Sequence, residues 1–207
     1  MKARGLLWFG LWLFFVVAAT WFVMRAVRYR AAMERQVSEA KAQAKEAVDR
    51  LQARLQEKLM AAMAEGGPAA AVEVCAEAAQ PLSDDLRGET GFWVSRSALR
   101  TRNPDNAPGP FEAEWMAKVA SQTTAATPIE PATKVEEFID GDRLLHYWRP
   151  IYLGARCLAC HGAPEQIAPE VAALLTERYP QDAATGFAEG DFRGVFVARV
   201  PLPKLEG

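Results

Sequence analysis

The chain begins with an uninterrupted apolar run and then changes to a charged, periodic pattern. Nineteen residues, Leu6 to Met24, carry no charge, which is long enough for a helix to cross a hydrocarbon core of roughly 30 Å. We therefore predict a transmembrane anchor over residues 1–25. A cleaved signal peptide is the alternative, although its apolar region is usually only about 7–15 residues long.

Residues 26–66 are rich in Ala, Glu, Lys, Gln, Arg and Leu, the residues that favour helix most strongly. Apolar positions recur there at helical steps, and Gly66-Gly67-Pro68 marks the end. The pattern predicts a long helical stalk. Its stripe could pack on the chain's own domain or on a second copy in a homodimer, and both interpretations stay open. The stripe consists of Val37, Ala44, Val48, Leu51, Leu55, Leu59 and Ala62.

The remaining segment, residues 67–207, alternates between helical and strand-like patterns. Asp140-Gly141 between two apolar runs predicts a β-hairpin. The order of elements favours an α+β fold, a small antiparallel sheet surrounded by helices. We predict helices over 68–82, 111–121 and 169–179, strands over 92–96, 134–139, 143–152 and 192–200, a loop over 100–110, and a Thr/Pro-rich connection over 123–131.

Five residues of this segment, Cys157-Leu158-Ala159-Cys160-His161, form the motif C-x-x-C-H. This is the attachment signature of a c-type haem. Two thiols three positions apart can bond the two vinyl groups of one porphyrin, and the adjacent His supplies the proximal iron ligand. A redox disulfide or half a zinc site would need only the C-x-x-C part.

Composition narrows the remaining classes of function. The net charge is −2, so nothing favours nucleic-acid binding. Of the three cysteines only Cys75 lies outside the motif, and a chain this long needs no disulfide scaffold. No Ser/His/Asp set or carboxylate pair stands out, so we do not expect an enzyme.

Several sequence blocks together resemble a known family, the single-haem c-type haem proteins with a PAS-like periplasmic domain. The resemblance covers about residues 68–202. Phe187 stands where the family pattern has Tyr, and Arg96-Ser97-Ala98-Leu99 matches loosely. The matching blocks are residues 71–75 with Ala78-Ala79, Arg102-Asn103-Pro104 with Asn106-Ala107-Pro108, Arg149-Pro150-Ile151, residues 157–162, and parts of residues 179–194.

The resemblance implies an iron with His161 on one side and a cysteine thiolate on the other. Cys75 stands at the matching position, on the face of its helix that we predict to point inward with Val72 and Leu82. Without a ligand role, Cys75 would simply be a buried core thiol. His146 is the second choice as sixth ligand. The methionines Met60, Met63 and Met116 are further candidates.

Arg102 and Asn103 are candidates to bind the haem propionates, because a guanidinium pairs well with a carboxylate. They could instead be a solvated charge and a turn residue. Arg149, just before the haem motif, is a further propionate candidate.

Two features conflict about the orientation in the membrane. Arg25, Arg28 and Arg30 follow the apolar run, whereas Lys2 and Arg4 precede it, so the positive-inside rule would place the domain in the cytoplasm. Long domains translocate largely regardless of charge, and the resemblance implies haem attachment outside the cytoplasm. We therefore expect a bacterial inner-membrane protein with one span and its haem domain in the periplasm.

These features predict a membrane-anchored sensor of redox state or of a diatomic gas, with one covalent haem c and an unidentified signalling or redox partner. An electron-transfer cytochrome c is the first alternative. The second is a structural Cys3His zinc site built from Cys75, Cys157, Cys160 and His161.

Overall fold

The computed structural model describes residues 2–122 and 128–205. The predicted connection over 123–131 therefore lies partly outside the described residues. The elements are α1 (Lys2–Thr90), β1 (Trp93–Ser97), α2 (Pro110–Gln122), β2 (Ala132–Glu137), β3 (Arg143–Tyr152), α3 (Leu158–His161), α4 (Pro169–Arg178) and β4 (Phe192–Leu202).

The predicted α+β fold is confirmed. In the described part of the chain the strands form one antiparallel sheet in the order β1-β4-β3-β2. Val195 and Val197 on one face of β4, and Ala198 on the other, are all 0% exposed. Both faces of this central strand are therefore covered, by α1 on one side and by α2 on the other.

The predicted hairpin joins β2 to β3. Glu137 lies opposite Arg143 in the register, and Gly141 has a φ of +82° in the turn. Glycine adopts this left-handed conformation without the steric penalty that a Cβ brings.

The long helix α1 breaks at the predicted position. Gly66 (φ −143°, ψ 16°) and Gly67 (φ 69°, ψ −161°) are not helical. The segments on either side, which we call the stalk arm (residues 26–65) and the cysteine arm (residues 68–90), lie side by side. Glu89 near the end of the cysteine arm forms ion pairs with Arg50 and Arg54 of the stalk arm.

The predicted end of the second helix, residue 82, is wrong, because the helix continues through Pro81 to Thr90. Leu82 and Leu86 are 7% and 0% exposed in the main core, and their burial outweighs the hydrogen bond that Pro81 removes. The helix ends where Gly91, with φ +77°, donates its N–H to Arg87 O at 2.9 Å.

The apolar stripe of the stalk arm packs on the chain's own sheet. Ala44, Val48 and Leu51 are 0% exposed. This supports the first of the two interpretations for the central part of the stripe, and a stalk homodimer, which stays a prediction, would need another surface. The stripe and the sheet face share one core that includes Ala40, Ala47, Leu145, Tyr147, Phe196, Ala198, Val200 and Leu202.

The N-terminal part of α1 has a different surface. Large apolar side chains, among them Trp12, Phe15 and Phe22, are more than half exposed there. Among the described residues, α1 is the one helix long and apolar enough to cross a membrane. The division into anchor, stalk and domain over 1–25, 26–66 and 67–207 stays a prediction.

Candidate functional site

The C-x-x-C-H motif lies just after β3, where the chain leaves the sheet and forms the short helix α3. Cys157 and Cys160 are both free and half-buried. Cys157 packs against Ala184 and Phe187, and Cys160 packs against the cluster of Val72 and its neighbours from α4. The two thiols therefore pack against two different hydrophobic clusters.

A pair of backbone hydrogen bonds fixes the end of the motif. Gly186 N donates to Gly162 O at 2.6 Å, and Phe187 N donates to His161 O at 2.9 Å. A Cβ on Gly162 would lie 2.6 Å from the carbonyl oxygen of Leu158, so a side chain at this position would force the motif open. This accounts for the glycine that follows the histidine.

His161 has one ring nitrogen bonded and the other without a hydrogen-bond partner in the described residues. The carbonyl of Ala184 accepts from Nδ1 at 2.6 Å, which fixes the tautomer that leaves the Nε2 lone pair for a metal. Burial first, and then the positive charge of Arg102, lower the pKa of His161 to about 3. A neutral imidazole with a free Nε2 fits the axial ligand of a haem.

Arg102 connects the motif to the loop that covers it. Its Nε donates to Asp182 Oδ2 at 2.9 Å, and its NH2 group donates to Cys160 O at 2.6 Å. These contacts position the backbone of the motif. Binding of a propionate by Arg102 stays a prediction, and the guanidinium already has protein partners.

Asn103 builds a turn. Its side-chain oxygen accepts from Asp105 N at 3.0 Å and caps the 3-10 turn Pro104–Asn106. A turn residue was the alternative role for Asn103 in the sequence analysis. A contact between Asn103 and a propionate stays a prediction.

Cys75 lies on the cysteine arm, beside the motif, but it is not the buried thiol that the helical pattern predicts. Its side chain is exposed, although Val72, one turn earlier, is 3% exposed and packs with Cys160. Burial raises the pKa of Cys75, while the charges of Arg96 and Arg102 act to lower it. The Cys75 thiol is thus accessible and near Cys160, which leaves it available to ligate a bound haem.

His146 lies on the other side of the sheet from Cys75. Its Nε2 is 3.0 Å from Glu136 Oε2, and its Nδ1 is 3.9 Å from Glu112 Oε1. Met116 packs in the same α2-side core and is 0% exposed. This position removes both His146 and Met116 as ligands to an iron held by His161.

Among the remaining candidates, Met60 lies near the motif. Its sulfur accepts from Arg156 at 3.6 Å, so Met60 stays the rival of Cys75. Met63 is half-buried on the same arm. Arg149 points to the stalk arm and donates to Gln52 and to Val48 O, so it fastens that arm to the sheet.

The four residues of the zinc hypothesis do not form a preformed site. Within residues 2–122 and 128–205, no three His, Cys, Asp or Glu side chains are grouped closely enough to hold a metal ion.

The structure adds residues that sequence reasoning missed. Arg96 shares a strand face with Val94 and lies near Cys75. The two-residue spacing from Val94 in the sequence predicts this shared face. Ala184 and Asp182 act on the motif from a loop that carries no periodic pattern, so only the tertiary structure could identify them.

The chain is similar to proteins of known structure and family. A sequence model of the Tll0287-like family matches residues 28–201. The crystal structure of the cyanobacterial haem protein Tll0287 superimposes with a TM-score of 0.54 and 25% sequence identity, covering 75% of this chain and 93% of that chain. A comparison with curated proteins finds no match.

Proposed function

Because this chain belongs to the Tll0287-like family of haem proteins, we propose that it is a membrane-anchored c-type haem protein that senses redox state or a diatomic gas. The observation that carries the proposal is the position of Cys75, exposed beside the C-x-x-C-H motif. A core thiol would only pack, whereas an accessible thiol beside this motif is available to bind iron.

Covalent attachment of one haem falls to Cys157 and Cys160. Each thiol would add across one vinyl group of the porphyrin to form a thioether. Both thiols are half-buried and free, and burial raises the pKa of Cys160, which keeps it from being an exposed, indiscriminate nucleophile.

His161 and Cys75 would then occupy the two axial positions. The bound haem would supply a one-electron redox change and a site for a diatomic gas. The bond between Cys75 and the iron would depend on that change, since a thiolate favours the more positively charged ferric iron. Cys75 would therefore hold the ferric form more tightly than the ferrous form.

A movement of Cys75 would be transmitted to α4 and to the stalk arm. Glu73 on the same arm forms an ion pair with Arg178 of α4, and Gly66-Gly67 supplies a break at which the cysteine arm can reorient against the stalk arm. A ligand change would therefore be felt at α4 and along the stalk, where an unidentified partner protein would receive it.

The proposed location rests on the attachment chemistry and on the apolar helix. The N-terminal part of α1 would anchor the chain in a bacterial inner membrane by one span. The haem domain would lie in the periplasm, where the attachment of haem to C-x-x-C-H takes place. No enzymatic activity is proposed.

Electronic spectra of the purified full-length protein test this function, recorded oxidised and reduced, with and without carbon monoxide. The expected result is a six-coordinate ferric haem whose ligation changes on reduction and whose ferrous form binds the gas. Unchanged ligation with fast electron exchange would contradict sensing and indicate the electron-transfer alternative. The absence of a Soret band after expression with haem-maturation machinery would contradict haem c itself.

A further inference from the structure

We propose that Arg96 and Arg193 hold the two propionate groups of the haem, and that the excess of positive charge around the C-x-x-C-H motif is built to receive them. This inference rests on the haem function proposed above. It assigns the propionates to residues other than Arg102 and Asn103, the pair that the sequence suggests.

The first observation is an imbalance of charge. Arg102, Arg193 and Arg96 all act electrostatically on His161, and Arg100 acts on Arg193. The carboxylate of Asp182 opposes this positive charge, and it forms an ion pair with Arg102 at 2.9 Å. Among the described residues the other three arginines have no carboxylate within ion-pair distance.

Two of the four arginines already have their hydrogen bonds filled by the protein. Arg102 donates to Asp182 and to the carbonyl of Cys160. Arg100 donates to the carbonyls of Ala183 and Thr185, and its guanidinium lies 4.0 Å from the ring centroid of Phe187. In each of them Nε and one NH2 group already donate to protein oxygens, so neither can offer its full fork to a carboxylate.

The other two keep more of their N–H donors available for an anion. Arg96 is half-buried and, within the described part of the chain, has no hydrogen bond or ion pair. Arg193 donates from NH1 to the carbonyl of Arg100 at 2.9 Å, and its guanidinium lies 5.6 Å from the ring centroid of Phe187; within the described residues its Nε and its other NH2 group make no hydrogen bond or ion pair. Arg96 lies on β1 and Arg193 on the paired strand β4, and the charge of Arg96 acts on Arg193.

Without a carboxylate partner, the charges of Arg96 and Arg193 destabilise the folded protein. Burial lowers the pKa of Arg96, and burial together with the charges of Arg102 and Arg96 lowers the pKa of Arg193 to about 10. A partly buried charge without a partner is unfavourable, and a carboxylate that accepts two parallel N–H bonds relieves it. A haem brings two carboxylates, the number that these two arginines can accept.

The position of Arg96 agrees with this assignment. It lies on the α1 side of the sheet, opposite Phe196 in the register, and its charge acts on both Cys75 and Tyr179. A propionate held there would lie on the side of the site where the cysteine arm passes.

Resonance Raman spectroscopy of the full-length haem protein tests the assignment, through the propionate bending band. Because the haem is covalent, the variants keep it, and the band can be compared at equal haem content. We expect a shifted band in Arg96→Gln and in Arg193→Gln, together with a lower midpoint potential, since each variant removes a positive charge near the iron. Arg96→Lys should shift the band but keep the potential near that of the wild type.

Arg54→Gln is the matched control, because Arg54 already pairs with Glu89 near the end of the cysteine arm; its band and potential should equal those of the wild type. Unshifted bands in both Arg96→Gln and Arg193→Gln, with haem present, would overturn the proposal. If Arg96→Gln fails to fold, Arg193→Gln and Arg96→Lys decide the question by the same bands. A wild-type protein without haem would instead contradict the proposed function, so the two failures are distinguishable.

Discussion

Arg102 is the side chain on which the geometry of the haem motif most depends. It is 15% exposed, and its partner Asp182 is 11% exposed, so their interaction is weakly screened by solvent. Through the carbonyl of Cys160 it holds α3 against the loop whose Ala184 orients His161. One guanidinium thus holds the backbone of Cys160 close to the loop that orients His161.

Arg102→Ala should destabilise the folded protein by about 2–3 kcal/mol, since it removes charge-assisted hydrogen bonds and leaves Asp182 buried without its cation. Urea unfolding, followed by tryptophan fluorescence, measures this. Arg178→Ala removes a more exposed arginine from its ion pair with Glu73 and should cost at most about 1 kcal/mol. Equal costs for the two variants would mean that Arg102 is only a surface charge.

At the scale of elements, the sheet is covered by two helices that attach by different chemistry. The stalk arm packs through small apolar residues and Leu51, which is 0% exposed. Helix α2 places Glu112, 2% exposed, between Arg199 and His146. The stalk arm is therefore held on the sheet by apolar packing, whereas α2 is held by an ion pair.

Leu51→Ala should cost about 2–5 kcal/mol, because the variant leaves a cavity between the stalk arm and the sheet. Leu59→Ala, on the same arm but only half-buried, should cost clearly less. Thermal unfolding at several protein concentrations measures both effects. A melting temperature of Leu51→Ala that recovers with concentration would indicate packing between chains rather than within one.

The pH dependence of stability tests the α2 attachment. Burial alone would raise the pKa of Glu112, but the nearby His146 and the hydrogen bonds from Arg199 outweigh it and lower the pKa to about 2. A carboxyl with a lowered folded-state pKa contributes stability above its usual pKa of about 4.5, and this is lost as pH falls toward 2.

In Glu112→Gln the loss of stability between pH 4.5 and pH 2 should therefore be shallower than in the wild type, by about 2–3 kcal/mol over that interval. Urea titrations at a series of pH values give the comparison. Glu114→Gln, on the exposed side of the same helix, should retain the wild-type slope. If Glu112→Gln also retained it, the ion pair would not be the source of the acid sensitivity.

The sequence predicts most elements because their patterns are local. The hairpin follows from Asp140-Gly141, and the break in α1 follows from Gly66-Gly67. The helix end at residue 82 was mispredicted because the burial of Leu86 is a tertiary effect. The exposure of Cys75, the contacts of Arg102 and the position of Arg96 beside Cys75 depend on segments brought together from distant parts of the chain, which no local pattern encodes.

At the scale of the whole molecule, the haem motif and the apolar helix lie at opposite ends of the stalk arm. Arg156, next to Cys157, contacts Met60, whereas Gln36 near the start of the arm donates to Pro203 O after β4. From residue 25 to residue 60 a helix rises by about 50 Å. Communication between the haem and the membrane would therefore pass along this arm and the sheet packed on it.

Membrane association should depend on the N-terminal apolar segment of α1. Replacing both Phe15 and Val16 by Arg places two charges near its centre, each costing about 2.5–3.5 kcal/mol of insertion. We expect the wild type in the membrane fraction after a high-salt wash and the double variant depleted from it. Replacing Gln43 and Gln56, exposed on the stalk arm, by Arg should change nothing; a wild type released by salt would contradict the anchor.

Ligation of the iron by the Cys75 thiolate opposite His161 is the claim on which the sensing account depends most. Ferric electronic and electron paramagnetic resonance spectra of the wild type, Cys75→Ala and Met60→Ala test it directly. We predict a low-spin, thiolate-ligated ferric haem in the wild type and in Met60→Ala, and loss of that signature in Cys75→Ala with the covalent haem retained. An unchanged ferric spectrum in Cys75→Ala would contradict the account.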